Sequence, residues 1–206
     1  MDLLLLSMNP AAIPSFLDGC VGALERPLRL GYVSDAGIGM PFASAERAKI
    51  EAFGYSIIEI RARDMDVEKS DELLDSLDAI YVASGETFAL LDALRSSGAD
   101  QALAERVRAG LPYIGCSAGS IVAGPTVTPL ELMDSREAAP DLQDDSGLQL
   151  IEQIIVPHAD GQLPPYPPAL IQQVLTTYGD RYPLLPLRDD QALLVSAEGA
   201  EIIDSF

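Results

Sequence analysis

Histidine is almost missing from this chain: His158 is the only one in 206 residues. Any chemistry that needs an imidazole has one residue to use, and a His-rich metal site is excluded. Lysine is nearly as scarce, with Lys49 and Lys69 alone, which leaves little room for a lysine nucleophile or Schiff base. Positive charge is short overall. The 13 Lys+Arg stand against 32 Asp+Glu, and 13 − 32 gives a formal net charge of −19; such a field repels phosphate backbones and anionic headgroups, so neither nucleic acid nor a membrane surface is an expected partner. The two cysteines, Cys20 and Cys116, are too few for a disulfide framework and form no C-x-x-C pair, so both are expected as reduced thiols. Long hydrophobic runs are lacking as well. The early apolar run Leu3–Leu6 follows an acid, which fits neither a secretory signal nor a membrane span and gives a cytoplasmic protein as the expectation. No cofactor and no metal is called for.

What is present is a foldable chain, with 48% hydrophobic and 22% charged residues and no low-complexity run. At this length one compact domain, residues 1–206, buries roughly 70% of the surface that its unfolded form exposes. Short apolar runs alternate with stretches of helical period, the pattern of an α/β domain with a largely parallel sheet. Strands are predicted at Asp2–Ser7, Leu28–Val33, Tyr55–Ile60, Ala79–Ala83, Pro112–Cys116 and Leu193–Ser196, with a weaker one at Ile154–Val156. Helices are predicted at Ser44–Phe53, Ser70–Leu77, Phe88–Arg95, Asp100–Ala109, Ala118–Ala123 and Pro168–Tyr178. Thr126–Ser146, with six Asp/Glu and two prolines, reads as a long surface loop. The four-proline stretch Leu163-Pro-Pro-Tyr-Pro-Pro168 reads as a stiff surface connection.

The richest stretch is Leu111-Pro-Tyr-Ile-Gly-Cys-Ser-Ala-Gly-Ser120: a strand, a tight G-x-S-x-G turn, then a helix. This is a nucleophile elbow centred on Ser117, in which a strained turn exposes the hydroxyl and small residues on either side allow close backbone approach. The helix behind it aims free N–H groups at the same point. A serine hydroxyl needs a base, and His158 lies 41 positions later at the end of a short apolar run, where catalytic groups of open sheets gather. An acid should orient the imidazole. Glu131, Asp134, Glu137, Asp141, Asp144 and Asp145 all lie between the two, and the residues by themselves do not choose among them. Ala118 N–H is one expected oxyanion donor, and the turn Ala83-Ser-Gly85-Glu-Thr87 offers a second.

With those residues in view, the chain resembles the peptidase E (aspartyl dipeptidase) and cyanophycinase family of serine peptidases. Met1–Ser7 is similar to that family's first strand, Tyr81–Phe88 to its Gly-Gly-Asn-Thr turn and Gly110–Ser120 to its nucleophile stretch; Ala123–Thr126 and Val156-Pro-His158 follow in order. The resemblance implies a single-domain, three-layer, doubly wound sheet of flavodoxin-like, class I glutamine-amidotransferase-like type. It also implies Ser117 as nucleophile, His158 as base, Gly85 and Ala118 as oxyanion donors, and hydrolysis of short peptides from the N-terminal end. Against the family's Asn-Asp-Met string this chain has Glu131-Leu132-Met133, so Asp134 is favoured as the triad acid, then Glu131, then Glu137. Ser84 and Glu86 replace Gly and Asn of the family's turn. Where aspartyl dipeptidases carry arginines after the histidine, Tyr166–Ile171 has none; a buried substrate carboxylate would lack its partner charge, so strict specificity for N-terminal Asp is not expected and a neutral or apolar residue is. Two other readings stay open: an esterase of the α/β-hydrolase kind, and a non-catalytic amidotransferase-like binding domain. Cys116, beside the elbow centre, is expected to pack inward. Related folds often pair, which allows a homodimer.

Overall fold

The computed structural model describes residues 1–65 and 67–206. Its main sheet has seven strands. They are β1 (Leu3–Leu6), β2 (Arg29–Val33), β3 (Ser56–Ile60), β4 (Ala79–Val82), β5 (Tyr113–Cys116), β8 (Gln191–Ser196) and β9 (Gly199–Asp204), in the order β3-β2-β4-β5-β1-β8-β9. The first five run parallel, and β8 and β9 are antiparallel additions beyond β1. A separate parallel pair joins β6 (Ile154–Val156) to β7 (Leu184–Pro186). The helices are α1 (Ile13–Val21), α2 (Ala43–Glu51), α3 (Val67–Asp75), α4 (Thr87–Ser97), α5 (Ala99–Arg108), α6 (Ala118–Ile121) and α7 (Pro168–Tyr178). This mostly parallel sheet with flanking helices is a flavodoxin-like α/β arrangement.

The central strands are apolar throughout because both of their faces are covered. Alternate residues separate into two cores. Leu4, Leu6, Tyr32, Tyr81, Ile114 and Cys116 meet Ile13, Phe16 and Leu17 of α1 and Ile50 of α2 on one face. Leu3, Leu5, Val33, Ile80, Val82 and Tyr113 meet Phe88, Leu91 and Leu94 of α4 and Leu103 and Val107 of α5 on the other. A third, smaller cluster packs Ile171, Val174 and Tyr178 of α7 against Val156 of β6, with Met133 and Tyr166 beside it.

Among the described residues one α-helix and two strands were not anticipated. The helix α1 follows Pro10 and carries Pro14 in its first turn, and its apolar face rests on three residues. Strand β7 has only three residues, and β9 is largely exposed at the sheet edge, so neither has the buried apolar run that marks a strand in sequence. The long 126–146 loop is built from two short 3₁₀ turns, Thr128–Leu132 and Arg136–Ala138, and is closed by a bridge between Thr126 and Ser146. Among the described residues no helix is long and apolar enough to cross a membrane.

Candidate active site

The carboxyl ends of β1, β4 and β5 converge on Ser117. Its backbone is left-handed, with φ 47° and ψ −105°, a conformation that costs a non-glycine residue of order 1–3 kcal/mol. The surroundings hold it there: Ser117 N–H donates to Leu6 O at 3.0 Å, and the Ser120 hydroxyl donates to the same oxygen at 2.7 Å. The flanking glycines are dictated by space. A Cβ on Gly115 would press on the Gly119 carbonyl, and a Cβ on Gly119 would run into the Val82 carbonyl. The buried Tyr113 hydroxyl donates to Gly119 O at 2.6 Å from beneath the turn. Sequence spacing and tertiary packing therefore agree on the elbow.

Two pairings bring His158 to it. Strands β6 and β7 run side by side in register, Leu187 N–H continues the ladder to Val156 O at 2.9 Å, and Ala159 N–H returns to Leu187 O at 2.9 Å. The Ser7 hydroxyl, at the end of β1, donates to Leu187 O at 3.2 Å and accepts from His158 N–H at 2.8 Å. His158 also has a positive φ, 60°, and is 3% exposed. Its Nε2 lies 3.2 Å from Ser117 Oγ, and its Nδ1 lies 2.6 Å from Asp189 Oδ1. The carboxylate is acceptor-only, so Nδ1 carries the proton and Nε2 is left as an acceptor facing the serine hydroxyl.

The acid beside His158 is thus Asp189, and none of the three favoured from the sequence. Asp134 is buried, but its Oδ2 accepts from Thr87 N–H at 3.1 Å and its Oδ1 accepts from the Tyr166 hydroxyl at 3.1 Å. Glu131 accepts from the Tyr178 hydroxyl, and Glu137 is exposed in a 3₁₀ turn. Asp189 escapes a search confined to the segment between serine and histidine. It stands two residues before β8, and because β8 is antiparallel to β1 its amino end lies beside the carboxyl ends of the parallel strands. The available signal was the acidic pair Asp189-Asp190 directly ahead of an apolar strand.

The turn after β4 follows Val82, whose carbonyl lies against Gly119 of the elbow. Gly85 has φ 142°, and a Cβ there would collide with the Ala36 carbonyl, which also accepts from Glu86 N–H at 2.9 Å; only glycine fits. Ser84, the departure from the family's Gly, has found a partner in Glu46 of α2. That carboxylate accepts from Ser84 N–H at 3.0 Å, from the Tyr81 hydroxyl at 2.7 Å and from the Ser84 hydroxyl. Ala118, at the first position of α6, has an N–H with no intrahelical acceptor and follows the nucleophile-elbow serine directly. Glu86, the other departure, is half-buried with Oε1 unpartnered; burial, then the Asp134 charge, pushes its carboxyl up to about 7. Burial also raises the Asp134 carboxyl, against the pull of its hydrogen bonds and of His158. Cys116 points away into the core, where burial pushes its thiol well above the ordinary range, so it offers no thiolate. Among the described residues no cluster of three or more His, Cys, Asp and Glu forms a metal site.

Comparison with known proteins identifies the family. The model of peptidase family S51 matches residues 30–203. An uncharacterized peptidase of Pasteurella multocida is 36% identical over 138 residues, which is 66% of this chain and 65% of that protein. A peptidase E of Streptomyces coelicolor is 36% identical over 138 residues, 62% of this chain and 53% of its own length. The chain therefore spans between half and two thirds of these curated relatives. A crystal structure of a peptidase E-like protein from Listeria monocytogenes superposes with a TM-score of 0.84 at 24% identity, covering 98% of both chains. On the strength of the family match over most of its length, the chain belongs to peptidase family S51, the peptidase E family.

Proposed function

We propose that this protein is a serine exopeptidase that cleaves short peptides through an acyl-enzyme, with Ser117 as nucleophile, His158 as general base and acid, and Asp189 as the group that orients His158. The observation that carries this reading is the continuous chain from Ser117 Oγ to His158 Nε2 at 3.2 Å and from His158 Nδ1 to Asp189 Oδ1 at 2.6 Å. Ser117 Oγ attacks the scissile carbonyl carbon while its proton passes to Nε2; the new imidazolium is stabilised by the Asp189 carboxylate on its other nitrogen. The carbonyl oxygen becomes an oxyanion facing the N–H groups of Ala118 and Gly85. His158 returns the proton to the leaving amine as the C–N bond breaks. Water, deprotonated by the same Nε2, then opens the ester and restores Ser117.

The substrate end is read as a neutral or apolar N-terminal residue of a dipeptide or short peptide. Support comes from the acids near the site, since Glu86 and Asp134 sit at the turn that carries the second oxyanion donor, and a further buried carboxylate there would meet repulsion without a partner cation. Ser117→Ala is expected to abolish turnover across a dipeptide panel with an unchanged melting temperature, and a fluorophosphonate is expected to label Ser117 in the wild type. Wild-type rates in the variant, or no adduct in the folded protein, would overturn the assignment.

A further inference from the structure

The proline-rich stretch read from sequence as a stiff connection has an unexpected relation to the site. Tyr166, at its centre, lies flat against the His158 ring, with centroids 5.1 Å apart and planes 4° from parallel. Its hydroxyl donates to Asp134 Oδ1 at 3.1 Å, and Asp134 Oδ2 accepts from the N–H of Thr87 at 3.1 Å. Thr87 opens α4 directly after the turn that holds Gly85. One unbroken set of contacts therefore runs from the histidine through Tyr166 and Asp134 to the backbone beside the expected oxyanion donor.

The prolines explain how Tyr166 stays there. Pro164, Pro165, Pro167 and Pro168 are all exposed, so burial of apolar area is not their contribution. Each fixes its own φ and restricts the residue before it, which lowers the number of conformations open to the loop. The segment also closes on itself: Tyr166 N–H donates to Leu163 O at 2.9 Å, and the Pro168 ring packs on Gly161. Pro168 then starts α7, which is anchored through Ile171, Val174 and Tyr178 onto Val156, two residues before His158. Burial and the Asp134 charge raise the Tyr166 phenol above its ordinary range, so it remains a donor.

We propose that Tyr166, held by its flanking prolines and by Asp134, is a positioning residue that fixes the plane of the His158 imidazole and faces the charge that develops on it. The stack blocks rotation of the ring away from Ser117 and keeps water from one face. When Nε2 takes the serine proton, the imidazolium lies over an electron-rich ring whose hydroxyl leads to a second carboxylate. This role rests on the serine-peptidase reading above.

Because His158 is the only histidine, its imidazole C–H signals are unambiguous in a proton NMR spectrum, and the stacked Tyr166 ring should displace them upfield. Tyr166→Leu is expected to return those signals downfield and to lower kcat about tenfold with KM little changed. Tyr166→Phe keeps the ring and should keep the displaced signals, with kcat reduced about threefold for loss of the Asp134 anchor. Unchanged imidazole signals in Tyr166→Leu, wild-type kcat, or an effect on KM alone would overturn the proposal. Should the leucine variant fail to fold, Tyr166→Phe and Asp134→Asn decide it: wild-type kcat in both rejects the positioning role. Wild-type protein that neither turns over peptides nor takes up fluorophosphonate would instead bring down the serine-peptidase reading, an outcome separate from an active wild type matched by its Tyr166 variants.

Discussion

Two loops bring acids toward His158, and they use them differently. The long one, residues 126–146, carries six acids, and those the structure shows with partners are tied to neighbouring groups. Glu131 accepts from the Tyr178 hydroxyl, Asp134 caps α4, Asp144 pairs with Arg95 and caps Ser146, and Asp145 pairs with Arg136 and Thr128. The short loop Leu187–Asp190 presents Asp189 to the imidazole, with its side chain 12% exposed. Local acid density thus marks where the backbone needs tying down, whereas the acid beside the histidine is chosen by where strands end. The most direct way to break this contrast is to exchange amide for acid on both sides. Asp189→Asn is expected to lower kcat by about 10⁴-fold, the effect of losing the tautomer that leaves Nε2 free. Glu131→Gln and Glu137→Gln should leave the rate unchanged. A dipeptidase assay of the three variants ranks them, and near-normal activity in Asp189→Asn would return the orienting role to the long loop.

Asp134 lies between these extremes. It touches neither Ser117 nor the histidine, yet it joins the start of α4 to Tyr166. Asp134→Asn keeps one accepting oxygen and loses the other, so a drop in kcat of about tenfold together with a loss of about 1–2 kcal/mol in stability is expected. Urea unfolding beside steady-state kinetics checks both. A fall in activity as large as that of Asp189→Asn would erase the distinction between the loops.

The same contrast shows what could be read from the chain and what could not. The elbow is local: Gly115, Ser117 and Gly119 lie within five residues, and their spacing is fixed by carbonyls that a Cβ would strike, so the motif itself carries the geometry. His158 was legible by elimination, as the only imidazole. Four of the parallel strands were legible because each is covered on both faces and reads as an apolar run, and β3, at the sheet edge, was legible from its apolar content although it is only partly covered. Asp189 depends on two long-range facts, the antiparallel direction of β8 and the pairing of β6 with β7, and the acidic pair ahead of β8 is the one local sign of it, which says nothing of where the strand ends up. Tyr166 was hidden for a similar reason, since proline content predicts stiffness without saying what the stiff segment holds.

Smaller effects sharpen the long loop's structural role. Glu86 lies near Asp134, and its carboxyl is raised to about 7 by burial and the Asp134 charge, against a smaller pull from the Ser135 backbone. A raised carboxyl means that the folded state holds a proton the unfolded state has already released. Wild-type stability should therefore fall as pH rises from about 4.5 through about 7. Glu86→Gln removes that titration. The variant should melt above the wild type at pH values past 7, and the two should converge toward pH 4.5 in a series of thermal scans. A constant difference across the range would mean that Glu86 is solvated like an ordinary surface acid.

The smallest expected effect belongs to the loop's outer fastening. Arg136 donates to Asp145 from both terminal nitrogens at 2.8–3.0 Å, and its guanidinium lies 5.1 Å from the centre of the Phe88 ring. Because the arginine is 43% exposed, water screens the pair, and Arg136→Ala is expected to cost about 0.5–1 kcal/mol. Part of that comes from the lost face of Phe88, so raising the salt concentration should recover only a fraction of the difference between variant and wild type. Peptidase activity should stay at the wild-type level, because Asp134 holds Thr87 from the inner side of the loop independently of Arg136. Loss of turnover in Arg136→Ala with little loss of stability would tie the outer acids to the reaction after all, and would make the long loop a partner of Asp189 in place of a strap around it.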